Sequence, residues 1–165
     1  VRRTHLPNVT LVALAASYLI QIGAGFFALA TIARTVSSAP PRSLAVLHGA
    51  YPYDSSVFWQ TVPPITGALF LLAIIANWRT QRRSLLLGAL AVFVLAGVVT
   101  VAYLDPLFAD IVATGYRDTV DSALQRRAAS WYAFDWGIRC IEVTAGATLL
   151  IALTRPPTEP VVLPA

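Results

Sequence analysis

The sequence predicts an all-α fold, a four-helix antiparallel transmembrane bundle with an extracytoplasmic lid that includes an amphipathic helical segment. Three observations carry that prediction. Of the 165 residues, 57% are hydrophobic and only 12% charged, and the mean hydropathy is +0.68. Average soluble proteins carry roughly 25% charged residues, so this chain lacks the groups to coat a soluble surface. Its apolar residues gather in four runs near the length of about 20 residues that crosses a hydrocarbon core as a helix. All basic residues except Arg139 lie outside those runs and flank them. Disordered, collagenous and coiled-coil classes are excluded by the same composition.

The first run is Val9 to Ile32 (9–32), relieved only by mild polar residues such as Ser17, Gln21 and Thr31 and preceded by Arg2 and Arg3. Gly23, Ala24 and Gly25 mimic a signal-peptidase site, but the run is too long for a signal-peptide core. Three later spans give it packing partners, so it reads as a retained helix. The chain contains no Met, which reads as processing or a non-ATG start. Residues 34–57 form a loop with His48, Tyr51, Tyr53 and Asp54.

Phe58 and Trp59 open the second run, 58–78, with Pro63 and Pro64 expected in its first turns, where a missing amide costs least. A turn with Arg79, Arg82 and Arg83 leads to the third run, 85–104, which is expected to stop at Asp105-Pro106. In 106–130, apolar residues at 108, 111, 112, 116, 120 and 124 approximate helical spacing. This amphipathic segment joins 34–57 as the lid. The fourth run is 131–153, and a Pro-rich tail occupies 156–165. The whole chain reads as one integral membrane domain.

Arginine placement gives the orientation. Six (Arg2, Arg3, Arg79, Arg82, Arg83 and Arg155) fall on the side of the termini, against five (Arg34, Arg42, Arg117, Arg126 and Arg127) on the other. The latter are offset by Asp54, Asp105, Asp110, Asp118 and Asp121. Both termini are therefore expected in the cytoplasm, with the bacterial inner membrane as the expected location.

The pI of about 9.7 does not indicate nucleic acid, because Arg residues at membrane ends are already explained. Cys140 is the single cysteine and, inside an apolar run, is expected to be a small packed thiol. His5 and His48 fall in opposite compartments, so no metal site is expected. No phosphate loop, nucleotide fingerprint or nucleophile elbow is present. No flavin, haem or nicotinamide motif is visible either, so no cofactor is expected.

The chemistry-bearing segment is 131–142. Asp135, Arg139 and Glu142 follow at i, i+4 and i+7 and share one helical face. Each charge in a bilayer costs at least about 2.5 kcal/mol, so this face must turn inward and its charges must pair. In one reading Arg139 clamps both acids and only fixes packing. In the other, the net negative triad is an acid–base site. There Asp135 near the outer mouth is the general acid or base, the deeper Glu142 sets its proton affinity, and Arg139 orients both or holds a developing anion.

Trp59, Trp131 and Trp136 read as interfacial aromatics that also serve as substrate contacts. His48 and Tyr51 are candidates over the cavity mouth. Gln21 and Asn77, single polar groups in apolar runs, read as helix–helix contacts, with Asn77 also a candidate substrate contact.

Four segments carry a family resemblance: Ala24-Gly-Phe-Phe-Ala28, Phe58-Trp-Gln-Thr-Val-Pro63, Asp105-Pro106, and Trp131 to Arg139. In this order, over most of residues 10–153, they resemble the small four-helix membrane proteins of the anthrone-oxygenase-like family, grouped under a domain of unknown function. The resemblance implies a cavity enzyme that tailors polyketide-like aromatics. Trp131, Trp136 and Arg139 match its helix-four pattern most closely. Asp135 departs from it, standing where members often carry a polar residue, which opens cyclisation or isomerisation beside oxygenation.

A membrane-embedded enzyme without a cofactor, acting on a lipophilic small molecule, is the leading expectation. The alternatives are a non-enzymatic binding or transport subunit and a structural membrane partner. Membrane lipid is the expected surroundings, no nucleic acid is expected, and self-association stays open.

Overall fold

The computed structural model describes residues 5–156. Arg2, Arg3 and residues 157–165 of the Pro-rich tail lie outside the described residues. Four helices are long and apolar enough to cross a membrane: α1 (His5–Ser38), α2 (Ser56–Ala76), α3 (Arg83–Ala113) and α4 (Ser122–Thr154). They make this an integral membrane protein by length and composition. Among the described residues there is no strand, only an isolated bridge between Pro41 and Val120.

Two of the helices run on well past the expected ends. In α1 the chain continues beyond Ile32 through a wide, π-type turn at Leu29–Ala33, where the Thr31 hydroxyl donates back to the Phe27 carbonyl at 2.6 Å. Such back-bonding loosens a helix locally. A second wide turn, Thr100–Leu104, carries α3 straight through Asp105-Pro106. Pro106 falls in the opening turn of the following α-segment, where its missing amide is tolerated.

The expected amphipathic segment 106–130 is therefore not one element. Its first part completes α3 to Ala113, and its last part opens α4 at Ser122, nine residues before the expected start at 131. Gly115, at φ 68°, turns the chain between them. Asp121 caps α4, its Oδ1 accepting from the amides of Ala123 (2.7 Å) and Leu124 (3.2 Å). In α2 the start at Ser56 places Pro63 and Pro64 in the helix interior, not in its first turns. Their missing amides deprive the Trp59 and Gln60 carbonyls of the usual i+4 donor.

α2 packs mainly on α1, α3 mainly on α4, and α1 against α4, whereas α2 and α3 meet much less than these three pairs. Buried side chains form two clusters. One, around Leu14, Tyr18, Phe70, Leu86 and Leu149, includes the edge-on contact of Tyr18 with Phe70. The other, around Leu29, Val36, Ile111, Leu124 and Trp131, includes Phe108 stacked on Trp131 at 4.7 Å.

Polar ties join the helix ends. Arg82 donates from Nε (2.9 Å) and Nη2 (2.6 Å) to the Arg155 carbonyl and from Nη1 to Asn8 Oδ1 (2.6 Å). Asn77 donates to the Pro7 carbonyl at 3.1 Å. At the other end, the Asp121 amide donates to the Pro40 carbonyl (3.0 Å) and Gln125 Nε2 to the Ser38 carbonyl (2.6 Å). These bonds tie the segment after α1 to the start of α4.

Candidate functional site

Between the two apolar clusters lies a cavity of about 720 Å³, within the roughly 300–1,000 Å³ usual for small-molecule sites. All four helices contribute to its wall. Gln21 comes from α1, Trp59 and Pro63 from α2, and Phe93, Gly97 and Asp105 from α3. From α4 come Trp131, Asp135, Arg139 and Glu142. Tyr53 and Asp54 lie at its rim, in the loop before α2.

Arg139 organises the wall. It donates from Nε to Asp135 Oδ1 at 3.1 Å, with Nη2 also 3.1 Å from that oxygen, and from Nη1 to Glu142 Oε2 at 2.7 Å. Arg139 and Glu142 are buried. The i+4 and i+3 spacing brings both carboxylates to one guanidinium on one helix, as the sequence pattern implies. Asp135 Oδ2 and Glu142 Oε1 have no hydrogen-bond partner among the described residues. Across the cavity the Trp59 ring lies 5.7 Å from the Arg139 guanidinium carbon, a cation–π distance.

Burial leaves other polar atoms without partners. Gln21 Oε1 and Trp131 Nε1 are buried, lack a hydrogen bond and belong to residues of the cavity wall. The Tyr18 hydroxyl is a third such atom, just outside the wall. At the rim, the Ser56 amide donates to Asp54 Oδ1 at 2.8 Å, and that bond holds the Asp54 carboxyl below its ordinary range.

The structure brings together Asp135, Arg139, Glu142, Trp59 and Trp131 around one cavity. It places four other expected contacts elsewhere. Trp136 turns off the cavity to pack on Phe26 at 5.4 Å and edge-on to Tyr132. His48 Nδ1 bonds the Leu44 carbonyl at 2.9 Å, an intraloop contact. Tyr51 is 98% exposed and covers nothing. Asn77 sits at the far end of the molecule, joining α2 to α1 through Pro7, so it is a helix–helix contact and not a cavity residue.

Gln21 shows the reverse. It makes no hydrogen bond to another helix and faces the cavity instead. Sequence reasoning also missed Asp105, whose pairing with Pro106 reads as a helix stop. The only signal for it was an acid within about two turns of an apolar span's end.

Fold and site define a small polytopic membrane protein with a charged cavity of ligand size among its spans. Comparison of the chain with family models, curated proteins and solved structures finds no match in any of the three.

Proposed function

We propose that the protein is a membrane-embedded enzyme that acts on a lipophilic small molecule by acid–base chemistry in this cavity. The observation that carries the reading is the division of labour around Arg139. One oxygen of Asp135 and one of Glu142 are held by the guanidinium, while the second oxygen of each has no protein partner among the described residues. Both residues line the cavity. A carboxylate fixed at one oxygen and open at the other takes a proton from a bound molecule and returns it at another position. Asp135, nearer the outer end of α4, is the exchanging group. Glu142, about 10 Å deeper by helical rise, sets the charge it works against. Arg139 orients both and stabilises an anion forming on the substrate.

The resemblance of the Trp131–Arg139 segment supports a polyketide-like aromatic as substrate. Proton removal and return at two carbons, as in isomerisation or cyclisation, is the chemistry these side chains supply by themselves. A second reading, a binding or transport subunit, draws on the weak packing of α2 against α3. Val94 and Val101 of α3 line the cavity and are also exposed on the helix surface, so the cavity is open sideways toward lipid.

The proposed topology is an antiparallel bundle in the bacterial inner membrane with both termini cytoplasmic. The segments after α1 and between α3 and α4 serve as an outer lid. The bonds from Asp121 and Gln125 to Pro40 and Ser38 support the lid, and the Arg82 ties support a common end for the termini.

The test begins with mass spectrometry of small molecules co-purifying with the protein in mild detergent. A lipophile should accompany wild type and be lost from Gly97→Trp, which fills the cavity from a position where a β-carbon would meet nothing within 4 Å. Its conversion in membranes should then be lost in Asp135→Asn at equal protein level. Near wild-type turnover by Asp135→Asn removes Asp135 from the chemistry and leaves the triad a packing device.

A further inference from the structure

We propose that the ligand of this cavity is a lipophilic cation, an amine or quaternary ammonium whose charge lies at Asp105 and Asp135 and whose apolar body lies against Trp131, Phe108 and Trp59. The inference rests on the reading of the cavity as a small-molecule site and narrows its ligand to a lipophile that carries a cationic nitrogen, in place of an uncharged polyketide-like aromatic.

Charge on the wall is one-sided. Four carboxylates line the cavity, from Asp54, Asp105, Asp135 and Glu142, against the single guanidinium of Arg139. Arg139 is committed to Asp135 and Glu142. Asp54 is committed to the start of α2 through the Ser56 amide. Asp105 alone has neither an ion pair nor a hydrogen bond among the described residues. It lies in electrostatic range of Asp135 and Arg139. Asp105 is exposed where it lines the cavity, so its carboxylate is open to a positive group on a ligand.

Gln21 points the same way without any charge of its own. On α1, one turn before the Gly25 position that packs on Arg139, it is 5% exposed, and its Oε1 accepts no hydrogen bond. An acceptor buried without a donor turns the negative end of a dipole to the cavity, which an amine N–H closes as a hydrogen bond and a quaternary cation meets electrostatically. The apolar part of the wall adds aromatic faces. Phe108 and Trp131 are stacked at 4.7 Å, and Trp59 is a further aromatic ring of the lining. Such faces attract cations and repel anions. The carboxylates, the unpaired Gln21 acceptor and the aromatic faces thus select a positive charge, while the unpaired Trp131 Nε1 donor is left for a neutral acceptor on the ligand's body.

The test uses the full chain purified in detergent and two near-isosteric probes of opposite charge, tetraphenylphosphonium and tetraphenylborate, measured by equilibrium dialysis against protein-free micelles. Saturable binding of the phosphonium and none of the borate is expected. Asp105→Asn should weaken phosphonium binding about tenfold, the loss of one charge-assisted contact. Asp110→Asn, which removes the same charge on the surface beside Arg127, should leave it unchanged. Equal binding of both probes overturns the inference but leaves a lipophile cavity standing, while binding of neither removes both. Undiminished phosphonium binding by Asp105→Asn also overturns it. The contrast between probes on wild type does not depend on the variant folding.

Discussion

Gly25 and Arg139 share one volume at the α1–α4 contact: a β-carbon on residue 25 would stand 2.9 Å from Arg139 Cδ and 3.3 Å from its Nε and Nη1. The guanidinium therefore has its place because α1 carries no side chain there. Gly25→Ala must push Arg139 off its carboxylates, since the atoms in the way belong to a side chain held by two ion pairs. Overpacking of this kind costs about 1–3 kcal/mol. Gly23→Ala, with nothing within 4 Å, should stay within about 0.5 kcal/mol of wild type. Thermal unfolding in detergent separates the two, and equal melting points would show that Arg139 is not positioned by this contact.

Arg139→Leu strands two acids beside the cavity. Breaking a buried ion cluster from one side costs about 3–5 kcal/mol, whereas replacing all of it with apolar groups is often near neutral. The single variant should thus be less stable than one in which Asp135, Arg139 and Glu142 are all apolar. A harmless Arg139→Leu in the same melting assay would show that the acids do not depend on the guanidinium.

Asp121 makes the start of α4 sensitive to acid. The amides of Leu124 and Ala123 hold its carboxyl below the ordinary range in the folded protein. A folded value below the unfolded one stabilises above the unfolded pKa and loses that contribution as pH falls through the folded one. The stability difference between wild type and Asp121→Ala should be full at neutral pH and shrink on acidification below the usual carboxylate range. Asp121→Asn, which caps without ionising, should show a flatter dependence. The check is a set of melting curves across pH; a wild type to Asp121→Ala gap that persists undiminished in acid contradicts it.

Orientation is open to labelling. In a Cys140→Ala background, Tyr51→Cys should react with an impermeant maleimide on intact cells. Gln81→Cys, in the turn beside Arg82, should react only after permeabilisation. The opposite pattern inverts the protein in the membrane.

The spans were legible because apolar runs of membrane length are rare outside the bilayer, and the triad because three charges at helical spacing in such a run must face inward together. Helix ends were less legible. Asp105-Pro106 has the form of a stop, and only the wide turn ahead of it lets the helix continue. Periodicity in 106–130 was real, but it belonged to two helices joined at Gly115. Trp136 was misplaced for a related reason. It lies next to Asp135 in sequence, and neighbours on a helix point about 100° apart, which sends its ring to Phe26.

The two wide turns, Leu29–Ala33 and Thr100–Leu104, both border the cavity. A π-type turn holds one residue more than the α-helix needs, so everything beyond it is rotated by about 100° from a regular helix. Deleting one residue between 100 and 104 would let α3 become regular while hardly changing its length, and would swing Asp105 away from the wall. The amount of negative charge in this cavity is therefore set by reading-frame-preserving indels as well as by substitutions. A lineage that gains or loses one codon at this turn would change what it binds with every other residue intact.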